Sequence, residues 1–587
     1  GYATVVEGEY VALNNGIGYV SLQTAINAAG SGETVTLLKD TSETVNIAEG
    51  KDIVLDLNGK TLTSDKASTA TVSNDGTVRI TSSVEGGKIT RGTTKYYVIL
   101  NHGTMTIDGA VTVENTNGSD TSSLIDNGWY YPDERPDGKY AVLTIDGGEF
   151  VTATPIAIKN DEFGRLTVNG GTFTATNQSV QNWGYAELHG GHFTSQVIGW
   201  SYDNMPDDKI GTVIDGGKYD SGVGSIYSGA TGDVMGYLVP DKASPLDISG
   251  GSFKAAIHYS YYADGHVADV TKVDEEGYVT VEANEKGYVA AVGGVGYVDF
   301  IDALGALRAN STLTLLNNVQ LGASLQIGVN LNFDLNGYTI TSTLSKPTNV
   351  LFAVVGSDVT VNISNGTVVG TGEFIYVFNN VENVNVNCNN LTLTSSNSAV
   401  LFGSQSCKNV LYTFTDCTLT NNTTGGSVAE LNNSKAILNN TKSYANGEDS
   451  FNVLLFNNSA VEVNDGTEIY APNGVGIYTN GSNTVETNIE INGGKVSAAV
   501  GIYQAGRGTL TVNGGEIVGV ESGIELRAGT LNINSGTISA TADFATQPNG
   551  SGTTVNGVAV AISQHSTKLP ITVNISGGEL KYLGTDP

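Results

Sequence analysis

The chain has 587 residues and carries 28 Lys plus Arg against 59 Asp plus Glu, a formal charge of −31. That surplus repels phosphate backbones and argues against nucleic acid as a partner, while keeping a secreted protein soluble or attracting Ca²⁺. Gly supplies 75 residues, Pro only 11 and charged residues 15%, which excludes collagen and charged disordered tails and implies many tight turns.

The chain begins in mid-pattern at Gly1 with no visible secretory leader and reads as a segment of something longer. Its first predicted element is a short amphipathic helix in SLQTAINAA, with Leu22, Ala25, Ile26 and Ala29 at helical spacing. The β-branched runs TVTLLKD and LDLNGKTLTS follow at once. A helix laid across a first coil would cap the unpaired edge and open core of a solenoid.

A shorter repeat then takes over: a polar turn, a few residues of alternating apolar and Thr or Asn character, Gly-Gly, one residue, and an apolar or aromatic residue. It reads LTIDGGEF (Leu143 to Phe150), LTVNGGTF (Leu166 to Phe173), AELHGGHF (Ala186 to Phe193), TVIDGGKY (Thr212 to Tyr219) and LDISGGSF (Leu246 to Phe253). A coil of three short parallel strands needs a period of about this length, stacked at about 4.8 Å, with inward Val, Ile, Leu and Phe forming ladders. The Gly-Gly pair supplies positive φ at a corner. Leucine-rich repeats would show L-x-x-L-x-L spacing, and propeller blades would need longer repeats with hairpins.

The polar turns that precede these rungs are long, aromatic and acidic: NGWYYPDERPDGKYA (Asn127 to Ala141), NDEFGR (Asn160 to Arg165), NWGYA (Asn182 to Ala186), WSYDNMPDDKIG (Trp200 to Gly211) and SGATGDVMGYLVPDKASP (Ser228 to Pro245). All three tryptophans are assigned to this one turn. Stacking of equivalent turns predicts a shared face, with Trp129 and Trp200 about three rungs, roughly 15 Å, apart. Exposed rings beside carboxylates suit glycan recognition, because the flat apolar face of a sugar covers a ring while polar groups take its hydroxyls. The candidate glycan-binding residues are Trp129, Tyr130, Tyr131, Asp133, Trp183, Tyr185, Trp200 and Tyr202. Equally, the long turns would fold over one another and bury their own aromatics.

The segment Gly296 to Ser342 repeats Gly18 to Ser64 without a gap at an offset of 278 residues, pairing Tyr19 with Tyr297, Leu38 with Leu316 and Asn58 with Asn336. A second capping helix is predicted in DFIDALGALRA, from Phe300, Ala303, Leu304 and Leu307. Later rungs (IEINGGKV, LTVNGGEI, LNINSGTI, VNISGGEL) step from Gly494 to Gly515 to Gly536 by 21 residues each. The turns here are short (NNVEN, NNSKA, NNSA, QAGRG, RAG) and predict a spacer in which stacked Asn amides ladder along the axis. Three cysteines are too few for a disulfide scaffold, and an odd count leaves at least one thiol unpaired within the chain. Cys388 and Cys417 lie in strand-like stretches and read as small core residues. No run approaches about 18 apolar residues, so no membrane-spanning helix is predicted.

The order SLQTAINAA, TVTLLKD, LDLNGKTLTS, successive GG-x-F rungs and YYADGHVADV resembles the pectate-lyase-like β-helix modules repeated in large surface proteins of gut and other anaerobic bacteria. The resemblance covers nearly all of both repeats, although the second lacks a YYADG-like exit after NISGGEL, consistent with truncation at Pro587. It implies an all-β fold of two tandem right-handed parallel β-helices, each with a short N-terminal capping helix, over residues 1–276 and 277–587. It also implies an extracellular, cell-surface or secreted location, and carries no catalytic motif.

The expected function is a non-catalytic adhesin module that binds a host or environmental glycan or glycoprotein through the first β-helix, as a monomer within a longer chain, with no cofactor required and Ca²⁺ the one ion to consider. One alternative is a polysaccharide lyase using Asp133, Glu134, Arg135 and Asp137, with Arg165 one coil on; it would need carboxylates gathered on Ca²⁺ and a base beside a sugar carboxylate. A β-helix hydrolase would be expected to show an Asp pair and Gly-His-Gly, whereas the chain offers only NHG and HGGH. His189 and His192 of HGGH replace Asn169 and Thr172 of the preceding rung and read as surface corner residues. A second alternative is a structural stalk.

Overall fold

A computed structural model describes residues 9–91, 96–116, 122–207, 209–228, 243–346, 349–397, 399–403, 406–549 and 552–584. The fold is a right-handed parallel β-solenoid of about 19 turns. It divides into two compact units, Gly1–Gly287 with Gly294–Val298, and Tyr288–Gly293 with Asp299–Pro587. The boundary expected between residues 276 and 277 falls in the turn joining two antiparallel strands of the first unit, His266–Val273 and Val279–Ala283. No helix among the described residues is long and apolar enough to cross a membrane.

In the first unit three stacks of strands run in parallel. The first begins with Glu33–Leu37 and passes through Ala141–Ile145, Gly164–Val168 and Tyr185–Leu188; the second carries the GG-x-F positions; the third runs from Val45–Ile47 to Val223–Tyr227. Antiparallel strands close the ends: Ala12–Asn14 lies on Glu33–Leu37, and Val279–Ala283 lies on Ser252–Phe253. Helix α1 (Leu22–Ala28) buries Leu22, Ala25 and Ile26, as the spacing predicts. Glu43 fixes its start, accepting from the backbone N–H of Leu22 (3.0 Å) and Gln23 (3.2 Å) and from the Ser21 hydroxyl (3.0 Å).

The GG-x-F rungs place one ring above another. Phe150, Phe173, Phe193, Tyr219 and Phe253 stack in sequence with ring centroids 4.8, 5.0, 4.9 and 4.6 Å apart, all buried. The two glycines have different tasks. The second of each pair, such as Gly171 (φ +99°) or Gly191 (φ +100°), takes a conformation that side chains resist. At Gly216, the first of its pair, a Cβ would sit 2.1 Å from the His189 carbonyl oxygen of the coil below.

A second column is polar and buried. Asn74 donates to Asn101 (2.8 Å), Asn101 to Asn127 (2.6 Å), Asn127 to Asn160 (2.7 Å) and Asn160 to Asn182 (2.7 Å), all through side-chain amides. Asn182 ends the run on the Gly211 carbonyl and the Thr212 hydroxyl, both at 2.8 Å. Each of these residues closes a strand of the third stack, so the column fixes the point where each decorated turn departs.

In the second unit, strands such as Thr360–Thr371 and Glu382–Ser395 bend through a corner and pair along two faces. The corner conformation that glycine supplies in the first unit is here taken by Asn365 (φ +59°) and Asn390 (φ +52°). The amide ladders predicted for the short turns are seen where Asn409 donates to Asn383 and Asn458 to Asn433, and others run elsewhere: Asn387 donates to Asn362 and Asn362 to Asn332, Asn574 to Asn532, and Asn534 to Asn513, Asn513 to Asn492 and Asn492 to Asn464 along successive coils. Helix α2 (Phe300–Ala306) buries Phe300 and Ala303 and is capped by Asp299. Cys388, Cys407 and Cys417 are all buried, and no disulfide joins them.

Candidate functional site

The turns that leave the asparagine column at Asn127, Asn160 and Asn182 converge on one cleft of about 400 Å³, lined by Tyr130, Lys159, Asp161, Glu162, Gln181, Trp183, Tyr202 and Ser228. Lys159 and Gln181 face it from the third stack, where they are partners on adjacent coils. Trp183 immediately follows Asn182, and Asn182 pairs with Gly199, which places Trp200 directly beside Trp183 on the next coil. The two indoles stack at 5.0 Å with 23° between planes, and Tyr202 tilts against Trp183 at 6.0 Å. Both indoles are partly exposed, and both indole N–H groups are buried without a partner among the described residues. Packing for stability alone would avoid that cost.

The floor of the cleft is ionic. Lys159 Nζ lies 2.8 Å from Asp161 and 4.3 Å from the centre of the Tyr130 ring. Beneath them Asp126 is buried, and its carboxyl is pushed well above the usual range, first by burial and then by the neighbouring Asp161, with Lys159 opposing. A side-chain hydrogen bond between Asp126 and Asp161 pushes it the same way. Burial also raises Glu162, which accepts from the Tyr202 hydroxyl at 3.0 Å; the Tyr202 phenol is pushed up to about 12 by burial and by Glu162.

The expected residues are therefore divided. Tyr130, Trp183 and Tyr202 line this cleft, and Trp200 backs Trp183. Tyr131 is exposed and packs edge-on against Tyr130 at 4.8 Å. Trp129 is only 5% exposed: it stacks on His102 at 5.0 Å, packs with Ala141 and Phe163, and borders a separate recess of about 230 Å³ with Asp75, Glu134 and Lys139. Asp133 lies exposed on a single 3₁₀ turn, Pro132–Glu134, and lines neither recess. Tyr185 is on the first stack, where Lys209 covers its ring at 3.7 Å and its hydroxyl bonds Glu187. Trp200 belongs to the strand Gln196–Ser201 rather than to the turn, because the turn of that coil starts later. The turn 228–245 lies almost wholly outside the described residues.

The basic residues of the lyase alternative are held in structural contacts. The Arg135 guanidinium lies 3.7 Å from the centre of the Phe163 ring, and Arg165 makes a two-pronged pair with the buried Asp207 at 2.6 and 3.0 Å. His189 and His192 each pair with a different carboxylate, Asp215 and Asp220. Among the described residues no three His, Cys, Asp or Glu side chains gather as a metal-binding group. Lys159, Asp161, Glu162 and Gln181 were not singled out from the sequence, although the acidic turn NDEFGR contained two of them.

No protein-family model matches the sequence, and no curated protein is similar to it.

Proposed function

We propose that the chain is a non-catalytic carbohydrate-binding module of a bacterial surface or secreted protein, with its binding site in the Trp183 cleft of the first unit. The observation that carries this reading is Trp183, backed by the stacked Trp200, walling a cleft that also presents the hydrogen-bonding groups of Lys159, Asp161, Glu162, Gln181 and Tyr202. An indole face takes the apolar face of a pyranose, and the flanking groups take its hydroxyls. Its volume lies within the range of small-ligand sites, which starts at about 300 Å³. The resemblance to pectate-lyase-like surface modules supports the same location and role. Repetition of such modules on a cell would turn weak contacts into avidity.

The test is binding of the whole chain to an array of host and microbial glycans. Trp183→Ala is expected to lower binding by about tenfold or more, the scale of one lost aromatic stack. Trp129→Ala is expected to lower stability and leave the glycan preference intact. Binding unchanged in Trp183→Ala would overturn the assignment, and no binding to any glycan would favour a structural stalk.

A further inference from the structure

At the equivalent corner of the second unit the turns are short, and a cleft of about 700 Å³ opens where the first unit carries its decorations. Its lining includes asparagines in the left-handed conformation, Asn380 (φ +62°), Asn409 (φ +51°), Asn433 (φ +47°) and Asn458 (φ +52°), and Asn383 (φ +58°), bonded to Asn409, extends the row beside it. Their side chains are laddered, Asn409 donating to Asn383 (2.8 Å), Asn383 to Asp358 (2.8 Å) and Asn458 to Asn433 (3.3 Å). A carboxamide has two N–H donors and two acceptor lone pairs. One axial bond per rung therefore leaves a donor on the exposed Asn383 and Asn409 amides, and at Asn409 the carbonyl as well, on coils spaced about 4.8 Å apart. A row that both donates and accepts matches hydroxyl groups, which do the same.

Charge narrows the ligand further. The lysines lining the cleft are paired, Lys408 with Glu382 at 2.6 Å and Lys435 with Glu462 at 2.5 Å, so among the described residues no surplus cation faces it for phosphate, sulfate or uronate. An apolar platform adjoins the amide wall along the chain. Tyr376 and Phe402 occupy adjacent rungs and stack at 5.2 Å, and Phe378, 38% exposed, meets Tyr376 at 4.8 Å just before the turn that begins at Asn379.

We infer that the second unit carries its own binding site for a neutral polysaccharide chain, lying along the Asn383–Asn409 amides with a sugar face against Phe378. The site stands independently of the first-unit cleft.

It is tested by electrophoresis of the full chain through gels containing hydroxyethylcellulose, xylan or galactomannan, with Trp183→Ala as background to silence the first unit. Retardation is expected in at least one gel, persisting in about 0.5 M NaCl because no charge is being neutralised. Asn383→Gly with Asn409→Gly, which removes the amides but tolerates the backbone, should weaken it by about tenfold. Phe378→Ala, on an exposed side chain, should do the same and serves if the double variant does not fold. No retardation in the Trp183→Ala background, retardation lost in salt, or retardation unchanged by these substitutions would each overturn the site. Loss of wild-type retardation on Trp183→Ala would do so while upholding the first-unit cleft.

Discussion

Asn127 is buried in the first unit with amide bonds to coils on both sides. Asn127→Ala strips partners from Asn101 and Asn160 at once, so a loss of about 1–3 kcal/mol per stranded group is expected in denaturant unfolding. The exposed ladder residue Asn513 offers the contrast: its loss returns the neighbouring amides to water, and Asn513→Ala should stay within about 0.5 kcal/mol. The buried column was not legible in the sequence because its members are 27, 26, 33 and 22 residues apart, each interval stretched by a different turn. Asp126 carries a pH signature. Its folded carboxyl holds a proton that the unfolded chain sheds above about pH 4, so its contribution to stability is complete below that pH and is lost as pH rises through the raised folded value. Asp126→Asn keeps a donor toward Asp161. It should raise the thermal midpoint at neutral pH and flatten its pH dependence in a scan of Tm against pH.

At the scale of elements, the rungs were readable because their signal is local and repeated. GG-x-F fixes both the corner and the ring that enters the core, and the rings form the column that spacing predicts. Phe173 sits between two stacked neighbours, so Phe173→Ala should cost about 3–5 kcal/mol, measured by chemical unfolding. The decorated turns were legible as a set but not in their pairing. Trp183 and Trp200 meet because Trp183 opens a short turn directly after Asn182, whose partner on the next coil, Gly199, directly precedes Trp200 in a strand that runs on to Ser201. Trp129 went inward because its turn folds back, with its backbone N–H on the Glu162 carbonyl, and buries the ring against His102. Glu43 reaches the start of α1 from the next coil, so Glu43→Ala should speed amide exchange at Leu22 and Gln23 before any change elsewhere.

At the scale of the whole molecule, the sequence repeats at an offset of 278 residues, and the chain divides into two compact units. Solenoid stability is a sum of rungs and their nearest-neighbour contacts, so a lesion acts within its own stack. Phe173→Ala is therefore expected to shift one calorimetric transition and leave that of the second unit in place; a single transition moving as a whole would refute this. The ladders also bear on chemical ageing. Asn492 and Asn513 each precede glycine, the setting in which an asparagine carbonyl is most readily attacked by the following backbone nitrogen to give isoaspartate. Each carboxamide is instead held along the axis, donating to one coil and accepting from the next. The folded protein should keep these asparagines through prolonged storage, while the heat-unfolded chain converts them, a difference that peptide mapping by mass spectrometry reads directly.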